Sequence, residues 1–488
     1  MTKIDLTLYP DRLERTVKRA RERNIIIPTF EQMLNPDLVP EKIKEELKGI
    51  GLWDLHPRNL FRITWHNEPK PSGGLYGGLN FMEFPESLTG TPARIIALEG
   101  KWMPTGSHKV GAAFGCLVPR LVTGQFDPTL QKAVWPSTGN YCRGGAYDSA
   151  LLACESIAIL PEQMSQERFD WLATIAGEVI RTPGSESNVK EIFDKCWELR
   201  ASGEDLMIFN QFDEFGNHLW HYYLTGKAIE SMIEQVAGPQ DRYWGVVSAT
   251  GSAGTIAAGD YMKKLFPDSH VVASEAVQCP TLLNNGFGSH RIEGIGDKHV
   301  PWIHNVRNTD TLVAIDDNAV TNLARVFNEP EGRAYLVKSG VPSEVVEKLD
   351  LLGFSSISNV LSAIKAAKYY ELDENDIIVT MLTDSMELYQ SRLEEMRAEM
   401  GDYSEKAAAV DDARWLKGIG IDYLEDLTYM GQKRVHNLKY YTWVEQQGKT
   451  YEEIQAQWYD KDYWTELQTQ VPEIDAKIEE FNERVGLL

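Results

Sequence analysis

Residues 104–109, Pro-Thr-Gly-Ser-His-Lys, form a polar turn that ends on Lys109, and the run from Val110 to Val118 is apolar or small. An ammonium at the mouth of a helix that packs into a core is poorly hydrated. Desolvation lowers a lysine's pKa and makes it a candidate general base or Schiff-base former. An arbitrary lysine is far more often a solvated surface residue, so the assignment needs support from elsewhere in the chain. Three loops offer it. Val246 to Lys263 reads as a strand, then Thr250-Gly251-Ser252-Ala253-Gly254-Thr255, then a helix. Small residues let consecutive backbone N–H groups converge on an anion at the positive end of the helix. The loop is neither GxGxxG nor a P-loop, and tight packing explains such a sequence about equally well. The second loop, Pro136-Ser137-Thr138-Gly139-Asn140-Tyr141, follows an apolar strand and precedes a small-residue helix. It suits a carboxylate, and Asn140 could donate to a ring oxygen. The third, Gly353-Phe354-Ser355-Ser356-Ile357-Ser358, opens another helix. Ordinary helix capping accounts for either of these two loops taken alone.

The elements that must position these loops follow from the apolar patterning. Short β-type runs occur at Arg94 to Leu98, Lys132 to Trp135, Ser156 to Leu160, Glu178 to Arg181 and Leu206 to Phe209. Further runs lie at Trp244 to Ser248, His270 to Ser274, Thr311 to Ala314 and Asp376 to Thr380. Helical patterns separate them, which indicates an α/β fold with parallel-type sheets flanked by helices. Residues 1–80 read as a helical and loop-rich appendage, residues 81–398 as the catalytic core, and residues 399–488 as an aromatic-rich helical extension with no further strand. At 488 residues the chain is too long for one ordinary core, so two or three lobes are expected. The net charge of −23 argues against nucleic acid, which needs a basic footprint. The five cysteines form no CxxC pair and no metal motif. The sequence has no signal-peptide core and no bilayer-spanning run, so no membrane partner and a cytoplasmic setting are expected.

Taken together and in order, these stretches resemble the fold-type II pyridoxal-phosphate enzymes (the tryptophan synthase β-like superfamily), in the cysteine synthase and cystathionine β-synthase branch. Pro104 to Lys109 is similar to the family's lysine turn, Ser137 to Tyr141 to its carboxylate loop, and Thr250 to Ile256 to its phosphate cup. Asn210-Gln211-Phe212, with His218 and Thr225-Gly226 beyond it, resembles its QF…N…H…TG stretch. Glu275 to Pro301, with His290-Arg291-Ile292-Glu293-Gly294-Ile295-Gly296, resembles its HKIxGIG segment. Gly353 to Ser356 resembles the pyridine-nitrogen loop, and Asp384 to Tyr389 the DSGERY ending.

The resemblance implies pyridoxal 5'-phosphate as cofactor and a role for each position. Lys109 would carry the cofactor as an internal aldimine and serve as the catalytic base. Gly251, Ser252, Ala253, Gly254 and Thr255 would hold the phosphate, with His108 adding a contact. Asn140 would meet the ring oxygen and Ser355 the ring nitrogen. Ser137, Thr138, Gly139 and Tyr141, with Gln211 nearby, would take the substrate carboxylate. The implied reaction is β-replacement or β-elimination on a small amino acid through an aminoacrylate, by a homodimer whose smaller lobe, about residues 117–208, moves over the substrate. The alternatives are an ammonia-lyase or desulfhydrase that releases a keto acid, and a non-catalytic binding relative.

The sequence also departs from the family. Val110-Gly111 follows the lysine in place of the usual polar pair, and the carboxylate loop ends in Tyr141-Cys142. A tyrosine there would narrow the substrate pocket. Cys142 is expected to be a buried structural thiol.

Overall fold

The nine apolar runs all form strands, and two further strands join them. In chain order these are β1 (Phe81–Phe84), β2 (Arg94–Glu99), β3 (Lys132–Pro136), β4 (Ser156–Pro161), β5 (Glu178–Thr182), β6 (Leu206–Ile208), β7 (Arg242–Ala249), β8 (His270–Ala276), β9 (Thr311–Ile315), β10 (Asp376–Leu382) and β11 (Leu424–Asp426). The computed structural model describes residues 3–488. Seven strands make one sheet, in the order β1-β2-β10-β7-β8-β9-β11, and four make a second, β5-β4-β3-β6. The second sheet is wholly parallel, as are the five inner strands of the first. Helices cover both faces of such sheets, which is why β4, β9 and β10 are buried along their whole length and read as unbroken apolar runs.

The two strands absent from the sequence reading are the antiparallel edges, β1 on β2 and β11 on β9. β11 corrects the expectation that no strand follows residue 399. It is three residues long, Leu-Glu-Asp, and partly exposed. An edge strand with a single neighbour needs no apolar pattern.

The Lys109–Val122 helix joins the two sheets' surroundings. It packs on the Asn140–Leu151 and Phe215–Trp220 helices, and its small residues are required there. A Cβ on Gly111 would lie 2.1 Å from the Trp220 ring. Residues before 81 enter the same buried cluster: Leu13, Ile25, Phe30, Leu60 and Trp65 lie in it with Val110, Phe114 and Leu117. The Val471–Val485 helix also contacts the Lys109 helix. It ties to the N-terminal segment through Asn482, whose side chain exchanges two hydrogen bonds with the backbone of Ile27. The chain's first and last segments are thus built into the support of the Lys109 helix. The aromatic tail packs on the 300–304 segment, where Trp443 donates to the Val300 carbonyl at 2.8 Å.

Candidate active site

The turn before Lys109 is strained. Thr105, a β-branched residue, takes a φ of 70° and Gly106 one of 75°, a region that costs a non-glycine residue of order 1–3 kcal/mol. The turn delivers Lys109 into a cavity between the two sheets. Its amine donates one hydrogen bond, to Ser252 Oγ at 3.1 Å. Desolvation lowers its pKa to about 8, against the opposing fields of Asp297, Glu186 and Asp384.

Two narrow recesses flank Lys109, and both also touch Gly251, Gly294 and Thr383. One is lined by Ser137, Thr138, Asn140, Tyr141 and Gln211. The other is lined by Ser248, Ala253, Thr255 and Asn359. The structure therefore brings the lysine, the carboxylate loop and the small-residue loop together. In the small-residue loop Ala253 is left-handed, with φ 58°, and no backbone acceptor takes the amide protons of residues 252–255 among the described residues. Unpaired backbone donors inside a protein call for an anion or another acceptor. Gly254 is fixed by close approach, since a Cβ there would lie 1.9 Å from Asn217 Oδ1. Asn217 in turn donates to Ser252 Oγ at 3.0 Å.

Ser355 is buried at the start of the Phe354–Tyr369 helix, and its Oγ has no partner among the described residues. It stands 3.6 Å from the position of a Cβ on Gly294, which lines both recesses, while Ser355 itself lines neither. His108 is placed differently. Its ring packs edge-on to His221 at 4.9 Å and tilted on Trp65 at 5.8 Å, and it does not join either lining. Burial and the neighbouring Lys109 hold it far below the usual histidine range.

On the carboxylate-loop side, Gly139 N–H donates to Ser137 Oγ at 3.1 Å, and Gln211 Nε2 donates to the same oxygen at 3.3 Å. Cys142 is buried, donates to the Gly139 carbonyl, and has its thiol pushed up by burial to about 12. That is an inert structural thiol.

Several residues in and around the site escaped the sequence reading. Asp297 follows Gly296, one position past the quoted glycine segment. It is buried with Oδ2 unpartnered, and burial lifts its pKa to about 8 against the pull of Lys109. Glu186 lies just past the C-terminal end of β5, where ligands bind in parallel sheets. It accepts from Thr138 Oγ1, and burial lifts it to about 8. Arg168, fully buried, spans the lobes. It donates to the Thr138 carbonyl at 2.9 Å and to Tyr389 OH at 2.8 Å, and pairs with Glu293 at 2.7 Å. Tyr389 and Asn140 both donate to Asp384 Oδ2, each at 2.6 Å.

These features fit a phosphate-bearing carbonyl cofactor. They combine a partly desolvated lysine, a loop of free amides, and an uncharged hydroxyl beside Gly294. The family described as pyridoxal-phosphate dependent enzyme matches residues 88–384. The chain belongs to that family. It is a pyridoxal-phosphate-dependent enzyme of fold type II, in the cysteine synthase branch. Among its relatives, a probable cysteine synthase of Bacillus subtilis is 29% identical over 290 residues, 59% of this chain and 85% of the relative. Cystathionine beta-synthase of Saccharomyces cerevisiae is 25% identical over 319 residues, 64% of this chain and 59% of the relative. Among solved structures, a substituted hydrogen sulfide-producing enzyme of Fusobacterium nucleatum, complexed with an α-aminoacrylate intermediate, aligns with a TM-score of 0.56 and 21% identity. The alignment covers 71% of this chain and 96% of that one. An O-acetylserine dependent cystathionine beta-synthase of Helicobacter pylori aligns at 0.53 and 22%, covering 64% and 94%. At these identities the structures speak for the fold.

Proposed function

We propose that this enzyme catalyses β-replacement, or β-elimination when no second reactant arrives, on a small amino acid. The observation that carries this reading is the pair of recesses on either side of Lys109, one suited to a phosphate and one to a carboxylate. Pyridoxal phosphate, when bound, withdraws electrons from the substrate's α-carbon. The chain's own residues do the rest. The amides and hydroxyls of residues 251–255 would hold the phosphate, Asn140 would meet the ring oxygen, and Ser355 would offer the ring nitrogen a neutral hydroxyl. A neutral partner there would limit charge delocalisation into the ring and favour prompt departure of a β-substituent. Ser137, Thr138, Gly139 and Tyr141 bind the substrate carboxylate, supported by Gln211. Lys109, whose amine loses its proton more readily than a solvated lysine, takes the α-proton. Asp297, held protonated by burial at neutral pH, gives a proton to the leaving group. Relatives named as cysteine synthases and neighbours that use O-acetylserine or release hydrogen sulfide support this class of chemistry. A homodimer working in the cytoplasm, with the β3–β6 lobe closing over the substrate, completes the proposal.

The test is a visible spectrum of the protein supplied with cofactor, followed by a panel of amino acids with β-leaving groups. The wild type should show the absorption of a lysine-bound cofactor and a red-shifted band with a true substrate. Pyruvate and ammonia formed without added nucleophile mark elimination. A colourless wild type contradicts the proposal.

A further inference from the structure

A second, roomier cavity adjoins the site but is not part of it. It measures about 580 Å³, against about 20 Å³ for each recess beside Lys109. It lies in the cleft between the β3–β6 lobe and the large sheet, and Glu186 is the one residue that lines both this chamber and the recess holding Lys109. Six acidic side chains line the chamber: Glu162, Glu186, Glu293, Asp317, Glu395 and Glu399. Three guanidiniums oppose them. Arg291 lies 3.8 Å from Asp317, Arg392 pairs with Glu293 at 2.6 Å and Glu395 at 2.7 Å, and Arg168 pairs with Glu293 at 2.7 Å from beneath. Glu162 and Glu399 carry no ion pair among the described residues. His290 adds no positive charge, since burial lowers its pKa and its ring is engaged by Gly296 and Ile292.

A second observation is independent of this charge excess. Glu186 is 2% exposed, yet its Oε2 has no hydrogen-bond partner among the described residues, and the nearest cation, Arg168, is 3.9 Å away. A buried carboxyl oxygen left without a hydrogen-bond partner is costly. Here it stands at the junction between an acidic chamber and the reacting centre.

We propose that the chamber is the subsite for the second reactant of the β-replacement, an amine-bearing molecule whose ammonium group is received by Glu186. The inference rests on the proposed reaction class and names its nucleophile. A chamber of this volume suits a ligand of amino-acid or polyamine size, and its charge disfavours a small anion such as hydrosulfide. Burial holds Glu186 largely protonated while the chamber is empty; the ammonium, an opposite charge docked beside it, favours release of that proton to solvent. In the reaction, the ammonium then gives one of its own protons to the Glu186 carboxylate. The freed nitrogen lone pair forms the N–Cβ bond, the leaving group departs with the electron pair of its own bond to Cβ, and the product is released as a secondary ammonium. Burial of Glu186 brings its affinity for a proton closer to that of an amine, so this transfer is less uphill than to a solvated carboxylate.

Calorimetric titration of the holoenzyme with 1,3-diaminopropane tests the subsite. Saturable binding is expected, weakened about tenfold in Glu186→Gln, the worth of one charge-assisted hydrogen bond. The double variant E162Q/E399Q should weaken it about two- to threefold, as loss of exposed charges does. Absence of saturable binding, or equal affinity in E186Q, overturns the proposal. If E186Q does not fold, an unchanged affinity in E162Q/E399Q overturns it instead. With a β-leaving amino acid as donor, mass spectrometry should find the diamine adduct formed in preference to the thiol product from sulfide, and the reverse preference overturns the proposal. Failure of the underlying reaction class would show separately, as a wild type that binds the diamine but shows no lysine-bound cofactor absorption.

Discussion

Lys109 and Lys439 are both desolvated amines in the interior of this protein, and burial lowers the pKa of each. They differ in what their protons meet. Lys439 donates to the carbonyls of Trp302 and His304 and to Gln457 Oε1, at 2.6–2.8 Å. All three of its donor positions are used. Lys109 makes one hydrogen bond, to a serine hydroxyl, and faces two recesses. Burial therefore does not distinguish a reactive lysine from a structural one. The distinction lies in unspent donor capacity next to space, in the field of carboxyls that are themselves incompletely satisfied.

Substitutions at the two lysines should separate cleanly. Lys109→Ala is expected to lower turnover by about 10³-fold or more, the scale of removing a positioned acid–base group. Its thermal midpoint should be unchanged or raised, because a desolvated amine with a single partner is removed. A comparable loss of activity in Lys439→Met, with its folding intact, would break the comparison. Lys439→Met should instead leave two carbonyls and an amide oxygen short of a donor and cost about 1–3 kcal/mol, read as a lower denaturant midpoint, while the cofactor absorption persists.

Asp297→Asn sharpens the picture of the field around Lys109. The native carboxyl titrates at about 8, whereas an unfolded aspartate titrates at about 3.9. The native state thus holds this proton more tightly, and the carboxyl's contribution to stability falls as pH rises from about 4 to about 8. Asparagine cannot ionise, so melting of D297N across that window should show a shallower decline than the wild type. An identical pH profile would remove Asp297 from the account. The smallest effect is expected for Cys142→Ser. Its thiol is buried and bonded to a carbonyl, so kinetics and thiol-reagent sensitivity should match the wild type, with a stability change of about 1 kcal/mol or less.

The same contrast explains what was legible in the sequence. The phosphate-side loop is made by backbone geometry, and backbone geometry leaves a local signature: the small residues from Gly251 to Gly254 between a strand and a helix. The inner parallel strands, apolar on both faces, were equally plain. The carboxyl-rich half of the site is made by side chains that meet only in the fold. Glu186, Asp297 and Arg168 lie on three separate segments, and nothing local marks any of them as buried. Asp297 was the nearest to detection, as an acidic residue directly after a glycine turn. The edge strands β1 and β11 were missed because one neighbour suffices for an edge. The structural part played by residues before 81 was hidden because Leu13, Phe30 and Leu60 are spaced among charged and proline-rich stretches, and only packing against the Lys109 helix shows what they bury.

The most direct test of the central claim is to fix the cofactor to its lysine with sodium borohydride and map the modified peptide by mass spectrometry. The adduct should lie on Lys109 alone. An adduct on Lys439 or on the other buried lysine, Lys365, whose amine already donates to the carbonyls of Ala314 and Asp422, would contradict the account.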